Sequence, residues 1–297
     1  MSTTAPRPIH PHTPAARPHP VDRYRVGGAR ALVTGASRGI GRAVALALAD
    51  AGADLALAAR TTAALESSVA AVEERGRKAF PVAGDLALPG TAAEVVELAA
   101  AALGGLDIVV HNAGILPGDG GPVPILAPFQ DTRQEHWVQV VSVNLNATAE
   151  LCRAAHPHLA VSDQASLVVM SSAAGLMGTP LLEAYAATKA AQVSLVRSLA
   201  VAWARQGIRV NALCPGWTRT DMTAFAGDTG PLFDWLMSHV PMGRQAEPEE
   251  AARAALFLAS PASSYVTGHA LVVDGGLSVP DGGLAGTPKP ASPFAVG

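Results

Sequence analysis

The chain has 297 residues, of which 49% are hydrophobic and 15% charged, so a large buried core is expected. A net charge of −3 gives no basis for a nucleic-acid or anionic-membrane partner. Two cysteines, Cys152 and Cys214, exclude a disulfide framework and read as small buried hydrophobes.

Residues 1–28 hold six prolines in the first twenty positions, with His10-Pro11-His12 and Pro18-His19-Pro20 among them. That composition opposes regular helix and reads as a disordered arm. It lacks the continuous apolar run of a secretory signal, and no stretch reads as a membrane span, so a cytoplasmic setting is expected.

From residue 29 strands and helices alternate. Ala31-Leu32-Val33 is a short buried strand, and residues 40–51 a helix that Gly52 ends. Strand follows at 54–59, helix at 62–75, strand at 79–82, helix at 91–103 and strand at 107–110. Residues 134–156 read as one helix with irregular ends, 166–170 as strand and 182–205 as a long helix. Strand at 209–213, helix at 248–259 and strand at 270–273 complete the series. Strands apolar on both faces, alternating with helices, indicate a doubly wound Rossmann-type three-layer α/β/α sandwich on a seven-stranded parallel sheet. One domain is expected over 29–279, with an irregular Gly/Pro-rich tail over 280–297. Residues 115–133 and 217–246 interrupt the rhythm and read as long loops, which in compact domains are often functional.

The first strand runs into Thr34-Gly35-Ala36-Ser37-Arg38-Gly39-Ile40-Gly41, which opens the first helix. Glycines there permit a tight turn and close approach to a pyrophosphate, and the helix N-terminus adds N–H groups and positive dipole. The residue types expected to touch a dinucleotide in this turn are Gly35, Ser37, Arg38, Gly39, Ile40 and Gly41. The end of the second strand carries Arg60 and no carboxylate. An acidic residue would suit a ribose 2′-hydroxyl, whereas the guanidinium forks of Arg60 and Arg38 suit a 2′-phosphate, which favours NADP(H) over NAD(H). Asp85-Leu86 and His111-Asn112-Ala113-Gly114 follow the third and fourth strands, at the edge where such sheets bind ligands.

Tyr185 and Lys189 are four residues apart, hence on one helix face. An ammonium beside a phenol favours the phenolate, which makes Tyr185 a proton donor and acceptor near neutral pH. Ser172 lies thirteen residues before Tyr185, and its neighbour Ser171 competes for the same role. The histidines His136, His156, His158, His239 and His269 lack metal-ligand spacing, so no metal is expected.

These ordered motifs, with Pro215-Gly216, Val266-Thr267-Gly268 and Asp274-Gly275-Gly276, resemble the short-chain dehydrogenase/reductase family over residues 29–279. The stretch around Arg38 is similar to the branch of bacterial 3-oxoacyl-acyl-carrier-protein reductases. His111 departs from the pattern, since relatives usually carry Asn there. The resemblance implies that Tyr185 exchanges a proton with the substrate oxygen, and that Ser172 hydrogen-bonds that oxygen. It implies that Lys189 holds the nicotinamide ribose and lowers the Tyr185 pKa, and that Asn144 supports a water-linked proton relay to the lysine. Asp85 would hold the adenine, Asn112, Ala113 and Gly114 would let the cofactor lie close, Pro215, Gly216 and the Thr218 backbone would face the nicotinamide carboxamide, and Thr220 would place a hydroxyl near the cofactor. Asn211 reads as structural.

The expected activity is NADP(H)-dependent interconversion of a ketone and a secondary alcohol, on a small-molecule substrate, by a homo-oligomer (tetramer or dimer). Alternatives are a 3-oxoacyl-carrier-protein reductase, an NAD-linked sugar or polyol dehydrogenase, and a non-catalytic dinucleotide sensor. The carrier-protein reading would need a basic docking patch, for which Arg205, Arg209, Arg219 and Arg244 are the candidates.

Overall fold

Strands that are apolar on both faces must be covered on both faces, and the architecture follows from that need. The computed structural model describes residues 19–119 and 123–279. Seven parallel strands, β1 (Arg30–Thr34), β2 (Asp54–Ala59), β3 (Ala79–Ala83), β4 (Ile108–His111), β5 (Ser166–Met170), β6 (Arg209–Pro215) and β7 (Ala270–Val273), form one sheet in the order β3-β2-β1-β4-β5-β6-β7. This is the three-layer α/β/α sandwich expected from the alternation.

Successive side chains divide between the two faces. Leu32, Val109, Leu167 and Val210 belong to one core, which is shared with α3 (Thr91–Leu103), α5 (Ala147–Ala160) and α6 (Glu183–Trp203). Val33, Leu57, Val110 and Leu213 belong to the other, shared with α1 (Gly39–Asp50), α2 (Glu66–Glu73) and α8 (Pro248–Ala259). Because β1 pairs with β2 on one side and β4 on the other, the chain reverses its winding direction there. The crevice at the C-terminal ends of β1 and β4 is the place where such a sheet receives a ligand.

Three elements differ from the sequence reading. The helix expected over 134–156 is α4 (Gln134–Val141) and α5, separated by a π-helical turn at Ser142–Asn146. A π-turn continues the helical backbone with one wider hydrogen-bonded turn and carries no turn-forming residue to mark it in the sequence. The loop expected over 217–246 contains α7 (Pro231–Ser238), which Gly230 precedes and Pro231 opens at its first position. Leu232, Phe233, Leu236, Met237 and Val240 carry the helical spacing that would have revealed it. The segment read as helix from residue 62 begins as a 3-10 turn at Ala63–Leu65 before α2.

The arm expected over 1–28 is corrected within the described residues. Pro20–Tyr24 forms a 3-10 turn, the Val26 side chain is buried, and the Val26 and Gly28 N–H groups donate to Ala51 O (2.9 Å) and Gly52 O (3.0 Å). The Tyr24 ring meets Phe257 of α8 with centroids 6.4 Å apart. Proline sets the turn rather than preventing order, because a 3-10 turn accepts Pro at its start. Residues 1–18 and the tail 280–297 lie outside the described residues.

Val26→Ala is therefore expected to cost about 2 kcal/mol, read as a fall of about 5 °C in melting temperature. An unchanged melting temperature would show that this segment contributes nothing to the fold.

Candidate active site

The glycine turn after β1 is built for close approach. Gly35 has φ +64°, and a Cβ there would lie 2.8 Å from Asn112 Nδ2; at Gly41 it would lie 2.1 Å from Gly35 O. Both positions exclude every other residue. Arg38, the N-cap of α1, supplies no side-chain cap, so the first N–H groups of a twelve-residue helix are left for another acceptor. Such a helix end, flanked by a guanidinium, suits a phosphate. Arg38 is exposed and pairs with Asp221 at 2.7 Å, and Arg60 stands exposed just beyond β2 with no ion pair among the described residues. Both follow the C-terminal ends of adjacent strands. Ser37 and Ile40 line the same turn, and Thr220 Cγ2 would lie 3.1 Å from a Cβ at Gly39. These features fit a dinucleotide.

Around β3 and β4 the placement is mixed. Asp85 is exposed and its carboxylate accepts from Ala87 N at 3.0 Å in an Asx turn, while Leu86 packs against the core. Asn112 braces the glycine turn: its Nδ2 donates to Thr34 O and Gly35 O, each at 3.2 Å. Ala113 N and Asn112 N both donate to Thr34 Oγ1. Gly114 leaves space beside Lys189: a Cβ there would sit 3.4 Å from Lys189 Nζ and 3.3 Å from Asn144 Oδ1.

His111 was singled out only as a departure from the family pattern, and its surroundings are unusual. Thr34 Oγ1 already accepts two N–H groups, so its own hydrogen goes to His111 Nδ1, 3.0 Å away. The ring proton is thereby placed on Nε2, which is buried with no partner. Burial, and secondarily the Lys189 charge, pushes the imidazole pKa down to about 3.

The four residues expected to act converge at the C-terminal edge of β5 and the start of α6. The two serines separate cleanly. Ser171 is buried and donates to Lys189 O at 2.8 Å, within the helix packing. Ser172 is partly exposed, accepts Ala174 N–H at 3.1 Å and donates to Pro215 O at 3.5 Å, and its hydroxyl acts to lower the Tyr185 pKa. Leu181, a non-glycine residue at φ +70°, turns the chain into α6, its N–H held by Glu183 Oε1 at 3.1 Å. Lys189 Nζ lies 5.5 Å from the Tyr185 ring centre and donates to Met170 O at 2.7 Å and Gln192 Oε1 at 3.2 Å. Desolvation lowers its pKa to about 8.

The Tyr185 pKa corrects an expectation. It is raised, because loss of water around the phenol outweighs the Ser172 hydrogen bond. The Lys189 ammonium stands 5.5 Å from the ring centre, with hydrogens donated to Met170 O and Gln192 Oε1.

Asn144 sits in the π-turn, fully buried. Its side chain clasps the loop after β4, accepting Ile115 N–H at 2.8 Å and donating to Ile115 O at 2.9 Å. Pro215 ends β6, and a Cβ at Gly216 would strike Asp274 at 2.7 Å. Thr218 is buried beside it, with Oγ1 donating to Gly216 O at 3.2 Å. Asn211 bonds Val266 O and His269 N, a structural role as expected.

Three of the four candidate arginines have partners within the chain. Arg209 is partly buried against the carbonyls of Leu258, Ala259 and Ser260 at the end of α8; Arg219 pairs with Asp228 and Glu247, and Arg244 with Glu250.

A family model described as enoyl-(acyl carrier protein) reductase matches residues 35–278. The chain is 34% identical to a short-chain type dehydrogenase/reductase from Mycobacterium marinum, whose crystal structure it matches with a TM-score of 0.80 over 88% of this chain and 100% of that one. The protein belongs to the short-chain dehydrogenase/reductase family. The enzyme is 39% identical over 261 residues to galactitol 2-dehydrogenase (L-tagatose-forming) from Cereibacter sphaeroides, covering 86% of this chain and 97% of that protein. It is 33% identical, with a TM-score of 0.80, to a gluconate 5-dehydrogenase from Burkholderia cenocepacia solved in complex with NADP and tartrate, covering 88% and 99% of the two chains. It is an NAD(P)-dependent oxidoreductase that interconverts ketone and alcohol groups.

The His111 geometry carries a pH dependence. The folded pKa, about 3, is below the unfolded value near 6.5, so the unfolded chain binds a proton that the native one refuses. The stabilising difference is present above about pH 6.5 and is lost as pH falls toward the folded value. Between about pH 7 and about pH 5 it amounts to about 2 kcal/mol, and His111→Asn should remove that part of the acid sensitivity. Parallel acid-melting curves for the two proteins would refute the assignment.

Proposed function

We propose that the enzyme uses NADP(H) in preference to NAD(H) and exchanges the substrate proton through Tyr185. The observation that carries the reading is the buried Lys189 ammonium 5.5 Å from the Tyr185 ring centre, with Ser172 just past the C-terminal end of β5. The bound nicotinamide supplies the hydride in reduction and accepts it in oxidation. In reduction the Tyr185 O–H donates its proton to the carbonyl oxygen, and Ser172 Oγ donates a hydrogen bond that steadies the charge developing there. Ala174 N–H fixes the serine oxygen for this task. In oxidation the phenolate recovers the proton. Two N–H groups of Lys189 are committed to Met170 and Gln192, and the third is left for the ribose.

Asn144 positions the loop that would face the cofactor. Gly35, Ser37, Gly39, Ile40 and Gly41 would hold the pyrophosphate, Asp85 and Leu86 the adenine, and Pro215, Gly216, Thr218 and Thr220 the nicotinamide. Arg38 and Arg60 would take the 2′-phosphate. The Arg38–Asp221 pair is exposed on both sides, so it competes weakly with a phosphate.

A 3-oxoacyl-carrier-protein substrate is an alternative reading; of its four candidate arginines, Arg209 is turned toward the carbonyls at the end of α8. A polyol or sugar-acid substrate is the second reading, favoured by the galactitol and gluconate dehydrogenases among the relatives. A homo-oligomer is supported by exposed apolar residues on α4 and α6, Val138 and Val201. A panel of ketones, polyols and sugar acids with NADPH and NADH, read at the nicotinamide absorbance, distinguishes the substrate readings; no turnover of any would leave the sensor alternative.

NADPH should bind at least about tenfold more tightly than NADH, and Arg38→Ala with Arg60→Asp should reverse the order. Equal affinities in the unaltered enzyme would remove the 2′-phosphate assignment.

Tyr185→Phe keeps the ring, so the variant should fold and bind NADPH while ketone reduction falls by about a hundredfold or more. Lys189→Ala should lower both turnover and cofactor affinity, and Ser172→Ala turnover more than affinity. A folded Tyr185→Phe enzyme that keeps most of its activity places the proton donor elsewhere.

A further inference from the structure

Beneath Lys189 lies a second polar side chain that the chemistry above does not use. Gln192 is fully buried on α6, one turn beyond the lysine. A carboxamide without water must find partners at both ends. Its Oε1 accepts from Lys189 Nζ at 3.2 Å, and its Nε2 donates to the main-chain carbonyl of Asn144 at 2.6 Å and to Thr148 Oγ1 at 2.9 Å. The Thr148 hydroxyl donates to the same Asn144 carbonyl at 2.6 Å. That oxygen therefore accepts from two side chains.

The water-linked relay implied by the family resemblance would need a water between the ammonium and a group of Asn144. The Asn144 side chain is committed to Ile115, and its carbonyl to Gln192 and Thr148. The carboxamide makes the two hydrogen bonds that a bridging water would make. Unlike water, it does not readily accept a proton at one end and release another at the other.

We propose that Gln192 is a positioning residue of the active site, whose carboxamide replaces a bridging water between Lys189 and Asn144, aims the ammonium at the cleft and closes the proton path through α5. The proton that Tyr185 gives or takes then exchanges on the cleft side of Lys189. This inference rests on the reading of Tyr185 and Lys189 as the reacting pair. The titratable groups around that pair are Cys214 and His111, one raised and the other lowered by burial.

The test uses the full-length enzyme and two substitutions that a packing role and a bridging role rank in opposite order. Gln192→Met fills the volume without hydrogen-bonding. Gln192→Ala opens a space lined by Lys189 Nζ, Asn144 O and Thr148 Oγ1, polar enough to hold a water. If Gln192 only packs, both melting temperature and kcat fall in the order wild type, Met, Ala. If it bridges, Ala melts lowest yet keeps more kcat than Met. The expected result is a fall of about tenfold in kcat for Met and about threefold for Ala, with the ketone KM nearly unchanged.

Gln192→Glu adds a carboxylate that cancels the ammonium's field on the phenol. The apparent pKa of alcohol oxidation should then move upward by about one unit. A kcat order that follows the melting temperatures, or an unshifted pH profile in Gln192→Glu, overturns the proposal; the latter decides it should the Met variant fail to fold. Activity surviving in Tyr185→Phe would instead overturn the underlying reading, so the two failures are distinguishable.

Discussion

A lysine ammonium held away from water needs acceptors on every side, and the centre of this enzyme is arranged around that need. Lys189 is buried on α6, yet it is held by the end of β5 through Met170 O and by the π-turn through Gln192 and Asn144. Three elements distant in the chain are thereby fixed relative to one another. The cost of desolvation appears in the lysine pKa, lowered to about 8, and in the raised pKa of Tyr185. The raised pKa keeps the phenol protonated, and the Ser172 hydroxyl acts in the opposite direction by lowering it in part.

The cofactor side depends on absent side chains. Gly35, Gly41 and Gly114 are places where a Cβ would meet backbone or the amide of Asn112, or crowd Lys189 and Asn144. Thr34 and Asn112 brace the turn from beneath, Thr34 by accepting two N–H groups and Asn112 by donating to two carbonyls. The turn is thus set before any ligand arrives, and little ordering remains to be done on binding. His111 is the unusual part of this bracing. It satisfies the Thr34 hydroxyl but leaves its own Nε2 unpartnered.

The segment between β6 and α8 forms a separate cluster. Trp217, Phe225, Leu232, Phe233 and Trp235 pack around Ala226, Leu236, Met237 and Val240, apart from both main cores. The segment is tied to the cofactor edge by Arg38 and Asp221 and by the contact of Gly39 with Thr220. An element held mainly by its own cluster and by exposed polar contacts is drawn from the less stable part of a fold, where lids are found. Several of its aromatic residues pack one another, Trp217 against Phe225 with ring centres 6.2 Å apart.

The alternation of apolar strands and helices determined the seven-stranded parallel sheet, because each period is a local property of the chain. The glycine turn and the Tyr185–Lys189 spacing were equally legible, since a tight turn and one helix face are set within a few residues. Other features were decided only when distant segments met. Loss of water around the half-buried Tyr185 phenol raised its pKa, the carbonyls of α8 took Arg209, and Ser171 rather than Ser172 turned into the core. The π-turn, the docking of Val26, and the bridge from Lys189 through Gln192 to Asn144 belong to the same class. A sequence shows which groups carry charge or hydrogen-bonding capacity. Which of them lose water, and which partner each then finds, depends on long-range packing that no local pattern encodes.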